Sequence, residues 1–223
     1  MNEYPPILIC GAPGSGTSFA TRLLRYVGLF VGVDAGPLKA RKYHESVSFR
    51  DANNRVLQRT IEFPYAPKSV AQFENHVALL KQNLDDLIEH VQIKKVLSKF
   101  WGDQNEREFW GWKDPRNSAN LLLWKNIFPD LKIIIVEKQW RRQDRKQKGS
   151  AAGEWFRSKS NRKLRTLYIH PPYLDGLNTF HLQLDQIQKD HQHLQSLWDW
   201  LDFDVSFIQK NIELESLINS YHR

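Results

Sequence analysis

The 223-residue chain is 41% hydrophobic and 12% aromatic with a formal charge of +7, a balance that excludes a disordered chain, and no apolar run approaches the ~20 residues of a bilayer-spanning helix. A single cysteine, Cys10, excludes an internal disulfide framework and a cysteine-built zinc site. The opening MNEYPP shows neither a basic segment nor an apolar core, so no secretory or transit signal is read and one soluble, cytoplasmic domain over 1–223 is expected.

In chain order, PILICG reads as a short buried strand and SGTSFATRLLRYVGL as the helix leaving it, with Phe19, Leu23, Leu24 and Val27 at helical spacing. ESVSFRDANNRVLQRTI reads as a helix broken by the prolines of FPYAPK. SVAQFENHVALLKQNLDDLIEHVQIKKVLSKF reads as one long amphipathic helix or a helix pair. EFWGWKDP is a short strand stopped by Pro115, and RNSANLLLWKNIF a helix capped near Asn117 or Ser118. LKIIIVEK is a central strand, TFHLQLD a further one, and QIQKDHQHLQSLWDWL the last helix. Alternating strands and helices predict a three-layer α/β fold, an open and mainly parallel sheet flanked by helices, with ligand at the carboxyl ends of the strands.

The charge is uneven. Residues 137–166 hold eleven lysines and arginines against three acids, a net +8 that leaves −1 for the rest. Within a basic lid or loop near 138–172 this block reads equally as a solvated face and as a cluster that focuses a polyanionic ligand.

GAPGSGTS, residues 11–18, has the glycine spacing of a phosphate-binding loop in a strand–loop–helix setting. Its backbone N–H groups and the helix start can cradle phosphate oxygens, and Gly11, Gly14 and Gly16 permit the tight turn. Nucleotide-hydrolysing loops place lysine where this chain has Thr17, which disfavours ATP or GTP hydrolysis.

GAPGSGTS resembles the 5′-phosphosulfate loop of sulfotransferases, G-x-P-(R/K)-S-G-T-(S/T). WGWKDPRNSANLLLWKNIFPDLKIIIVEK is similar to the bacterial-type segment in which K-D-P-R precedes a helix, F-P-D and a strand. YHESVSFRDANNRVL resembles the family's acidic stretch, and FHLQLDQIQKDHQHLQSLWDWLDF its strand-plus-helix ending. The resemblance implies a P-loop NTPase-like fold. It also implies 3′-phosphoadenosine 5′-phosphosulfate as co-substrate without a metal, and sulfuryl transfer to a hydroxyl or amine. By it, Ser15, Gly16, Thr17 and Ser18 hold the 5′-phosphate.

The family's loop cation is Gly14 here, and Lys113 at the end of a strand is the leading substitute. Arg116 serves likewise or bonds the following loop, and Asp114 positions or caps. Glu45 matches the family's acidic position and reads as acceptor base or as a helix-start residue, with His44 beside it as the other base candidate. For the 3′-phosphate, Lys138 takes the place of the family's strand-end arginine and Lys146 lies where its serine would be. Arg142 and Ser150 keep the spacing of eight, displaced by about one helical turn.

Of eight tryptophans, Trp124, Trp198 and Trp200 read as core, and Trp110 or Trp112 as a wall of an acceptor pocket for a carbohydrate or other small molecule. The histidines show no metal spacing, His191 and His193 facing different directions of a helix. The alternatives are a P-loop phosphotransferase and a nonenzymatic nucleotide or polyanion binder; nucleic acid is not the expected partner.

Overall fold

In the computed structural model the described residues are 5–35, 44–61, 67–105, 108–138, 161–187 and 191–202. Four strands form one parallel sheet in the order β2-β1-β3-β4: β1 (Ile7–Cys10), β2 (Gly111–Lys113), β3 (Lys132–Glu137) and β4 (Asn178–Gln183). Parallel neighbours need crossovers, and helices supply them: α1 (Thr17–Tyr26), α2 (Val47–Ile61), α3 (Val70–Gln82), α4 (Leu84–Val91), α5 (Ile93–Trp101), α6 (Leu121–Ile127), α7 (Arg162–Ile169), α8 (Leu184–Ile187) and α9 (His191–Leu201). This is the expected three-layer α/β architecture. No helix among the described residues is long and apolar enough to cross a membrane.

The apolar strands are explained by burial on both faces. Ile7, Ile9, Ile134 and Val136 pack with Leu23, Leu24 and Val27 of α1 and with Leu197 and Trp198 of α9. Leu8, Cys10, Ile133 and Ile135 face the other layer, where Phe49, Val56, Leu80, Val96, Phe100 and Trp124 gather. Gly111 is required where β2 meets β1, since a Cβ there would lie 2.0 Å from the Ile7 carbonyl oxygen. Burial pushes the Cys10 thiol up to about 12, consistent with a packing role.

The structure corrects three readings. The segment 70–101 is three helices, broken at Asn83 and Gln92. Asn83 turns both its backbone N–H and its side-chain amide onto the Leu79 carbonyl, ending α3, and Gln92 adopts a left-handed φ of 52°. The buried series Leu87, Val91, Val96, Phe100 contains one five-residue step, and the break at Gln92 returns Val96 to the core side. After β2 the chain makes a 3₁₀ turn (Pro115–Ser118) capped by Asp114, so α6 begins only at Leu121. Trp110 and Trp112 line no acceptor pocket: both are core, Trp112 stacked 4.1 Å from Phe49 and Trp110 packed near Phe100. Trp124 and Trp198 are core as expected, while Trp200 is only partly buried. Of the 138–172 region, α7 and its flanks are described and residues 139–160 lie outside.

His76, fully buried on α3, joins three elements: its Nε2 donates to Asn120 Oδ1 (2.8 Å), and its Nδ1 lies 2.6 Å from Thr60 Oγ1 on α2. Burial lowers its pKa to about 4, against the upward pull of its hydrogen bond to Asn120. The unfolded chain binds this proton near pH 6.5 and the folded chain only near 4, so stability falls as pH drops through that window. We expect urea denaturation to show wild type losing about 3 kcal/mol between pH 7 and 4 beyond the loss in His76→Gln. Equal slopes for the two proteins would disprove the assignment.

Candidate active site

The loop after β1 is shaped by positive-φ glycines at 11, 14 and 16 (148°, 83° and 96°). At Gly11 a Cβ would lie 2.5 Å from the Val136 carbonyl oxygen, so the loop passes directly over the end of β3. Ser15 N–H donates to the Ala12 carbonyl (2.8 Å), closing the turn, and Gly16 begins α1 without a side-chain cap. The first N–H groups of α1, at Thr17 and Ser18, have no acceptor within the helix and carry the positive end of its dipole. Ser15 Oγ, on a side chain 1% exposed, has no hydrogen-bond partner among the described residues. A buried hydroxyl in that state costs free energy until an acceptor or donor reaches it.

Lys113, the last residue of β2 and only 4% exposed, reaches over this helix start. Its ammonium donates to Ser18 Oγ (3.2 Å) and to Glu45 Oε1 (2.6 Å). Glu45, 14% exposed, precedes α2, and its second oxygen lies 3.7 Å from the Arg116 guanidinium. Two cations therefore converge on one carboxylate beside the phosphate-type loop. Arg116 is itself fixed: Nε donates to Asp114 Oδ1 (2.7 Å) and an Nη group to Asn54 Oδ1 (2.6 Å). Burial pushes the Asp114 carboxyl above its ordinary value, with the Arg116 charge and hydrogen bonds pulling the other way. Burial works to lower Arg116, and the Asp114 and Glu45 charges outweigh it, holding the guanidinium above its ordinary value.

Beneath the charged groups lies a buried amide network. Asn53 Nδ2 donates to Asp114 Oδ2 (3.1 Å) and Asn117 Oδ1 (2.8 Å), while its Oδ1 accepts from Asn120 Nδ2 (2.6 Å) and Trp124 Nε1 (3.0 Å). Asn117 also accepts from Trp112 Nε1 (3.2 Å) and donates to the Ile9 carbonyl (3.3 Å), tying the turn to β1.

The residues singled out in the sequence separate into groups. Glu45, Lys113 and Ser18 come together, next to Gly14, Ser15, Gly16 and Thr17 of the loop. His44 does not join them: it is fully buried, and its Nδ1 sits 2.9 Å from the Arg25 guanidinium on α1. Lys138 follows the last residue of β3; Arg142, Lys146 and Ser150 lie outside the described residues. Asn53 and Asn54 were missed, although Asn53 stands in the apolar row Phe49, Ala52, Val56 of α2, where a polar residue signals a buried partner. Glu137 was missed too: it ends β3 and meets His181 Nδ1 at 2.5 Å across the strand pair, with His170 5.4 Å beyond. Among the described residues no three His, Cys, Asp or Glu side chains gather as a metal site.

No family model matches this chain, and no curated protein sequence matches it. Among solved structures, sulfotransferase STF9 from Mycobacterium avium is similar with a TM-score of 0.49 at 13% identity, over 99% of this chain and 68% of that one. An unliganded sugar kinase from Janibacter sp. HTCC2649 is similar with a TM-score of 0.43 at 13% identity, over 91% of this chain and 97% of that one. Neither likeness bears on the chemistry of the site.

Removing one member of a buried ion pair strands the other. Lys113→Met and Glu45→Gln are each expected to lower stability by about 2–3 kcal/mol, and the double variant by at least ~1 kcal/mol less than their sum. Chemical denaturation of the four proteins tests this; strict additivity would mean that the pair contributes no coupling.

Proposed function

We propose that this protein transfers a sulfuryl group from 3′-phosphoadenosine 5′-phosphosulfate to an acceptor hydroxyl or amine. One observation carries the reading: the cation absent from the glycine loop is supplied by a neighbouring strand, as the Lys113 ammonium resting on Ser18 in the first turn of α1. The loop suits a 5′-phosphate, offering the Ser15 hydroxyl, the N–H groups that open α1 and a backbone path kept close by Gly11.

In this reading Ser15, Gly16, Thr17 and Ser18 grip the 5′-phosphate. The acceptor oxygen or nitrogen forms a bond to sulfur as the bond from sulfur to the phosphate oxygen breaks. Glu45 takes the acceptor's proton, and Lys113 meets the electron pair left on the phosphate oxygen. The 2.6 Å contact between them couples the two events. Before reaction Glu45 neutralises part of the lysine charge; once it accepts the proton it no longer competes, and that charge is available to the leaving phosphate. Arg116, 3.7 Å from the other Glu45 oxygen and locked by Asp114 and Asn54, keeps the carboxylate oriented. His44 is given no catalytic part in this reading, its ring being turned to Arg25. Lys138, with Arg142, Lys146 and Ser150, is assigned to the 3′-phosphate.

A second reading draws on Glu137. An acidic residue ending the strand beside β1 is where a P-loop phosphotransferase holds Mg²⁺, and Gly11 abuts that strand at Val136. Here Glu137 is engaged by His181, which favours the first reading.

Calorimetric titration with 3′-phosphoadenosine 5′-phosphate, with adenosine 5′-phosphate and with ATP plus Mg²⁺ separates the two. We expect binding that requires the 3′-phosphate; preference for ATP with Mg²⁺ would reject the sulfuryl donor. Given an acceptor, Lys113→Ala is expected to lower turnover about 10²–10³-fold while changing donor affinity less than tenfold, at a temperature where circular dichroism shows it folded. Equal losses in both would contradict the transition-state role.

A further inference from the structure

Away from the glycine loop, α2, α4 and α5 border a half-open cavity of about 500 Å³ lined by Asp34, Asp51, Arg55, His90, Lys95 and Lys99. That volume suits a small molecule of monosaccharide size. Its charges are not balanced. Asp34 caps the N-terminus of α2, its Oδ2 accepting the Ser48 N–H at 2.6 Å while its buried Oδ1 has no hydrogen-bond partner among the described residues, and Asp51 is paired with Arg50 at 3.3 Å. Arg55, Lys95 and Lys99, and Arg59 one turn along α2, have no acidic partner within 4.0 Å among the described residues. Arg55 spends one N–H on the Val91 carbonyl and Lys95 bonds the Gln92 side chain, both neutral groups.

We propose that this cavity is an anion-binding site that receives a carboxylate, sulfate or phosphate group of the acceptor molecule. The assignment to the acceptor rests on the transfer reading above; the anion site itself does not. Val47, in the cavity wall, is two residues from Glu45, so their Cα atoms lie within about 7 Å. An acceptor anchored there lies beside the segment that leads into α2 and carries the proposed base. The chemistry matches: Lys95 and Lys99 are exposed and Arg55 is half-buried, and such cations, without acidic partners among the described residues, attract anionic oxygens and discriminate against neutral analogues.

His90 reports on the field. Partial burial, then the Arg59 and Arg55 charges, lower its pKa. The groups around it are Arg55, Arg59, Lys95 and Lys99 against Asp34 and Asp51, and an added anion shifts this set toward neutrality.

The test is an NMR titration of the His90 ring, assigned with His90→Gln, using glucose 6-sulfate with glucose and inorganic sulfate as controls. Binding of 3′-phosphoadenosine 5′-phosphate is measured in parallel. The expected result is that glucose 6-sulfate raises the His90 pKa by at least half a unit and glucose does not. Lys95→Ala/Lys99→Ala should weaken glucose 6-sulfate at least about tenfold and leave nucleotide binding unchanged. An equal response to glucose, or no response from either sulfate while the nucleotide binds, would overturn the cavity assignment and leave the donor reading standing. A His90 response with no nucleotide binding would keep the anion site and remove the acceptor role with the donor.

Discussion

The candidate site depends on one buried amide. Asn53 uses its full hydrogen-bonding capacity, two donors and two acceptances, on four side chains of the turn after β2 and the helix that follows it. A buried polar atom left without such a partner costs about 1–3 kcal/mol. α2 is thereby clamped to that turn in one register. The clamp matters because the site residues hang from its two halves: Lys113 and Arg116 from the end of β2 and the turn after it, Glu45 and Asn54 from α2 and the segment leading into it. Pre-organisation of the charges is a property of the buried hydrogen-bond network beneath them.

In the proposed reading Lys113 takes the place of a loop cation, because electrostatic stabilisation depends on where the charge sits and not on the segment that carries it. A strand end places such a cation well. Because β2 is held in register with β1, and Ile9 opposite Lys113 is fully buried, the ammonium is set with little freedom. Paired this way, a lysine is also neutralised in the resting protein, which lets a largely desolvated cation exist beside a helix N-terminus already rich in positive potential.

Much of the fold was legible because buried parallel strands leave short apolar runs that few other structures need: ILIC and KIIIV are β1 and most of β3. The glycine loop and the Glu45–Lys113 pair were legible as separate residues, but their contact was not, since it joins segments 68 residues apart. Of the two breaks in 70–101, where one helix or a helix pair was expected, that at Gln92 left only the five-residue step from Val91 to Val96, and that at Asn83 is settled locally by its own side chain. The tryptophans misled for a related reason. In a three-residue strand, alternation cannot say which face Trp112 takes, and its stacking on Phe49 decides it. His44 and Glu45 are sequence neighbours that point to opposite partners, Arg25 and Lys113, so adjacency said nothing of shared function.

The same helix serves both charged regions, and this shapes how they can communicate. α2 carries on one side the Asn53 clamp and Asn54, and on another Asp51 and Arg55 of the cavity. Its N-terminus is capped from outside by Asp34, a residue that also lines that cavity. A ligand drawing on the cavity cations therefore acts on the element whose start positions Glu45. The Asn53 clamp resists sliding of α2, which fixes where the helix starts relative to the cavity. In the proposed reading, rigidity at the clamp and positive charge in the cavity act together on how a molecule approaches Glu45.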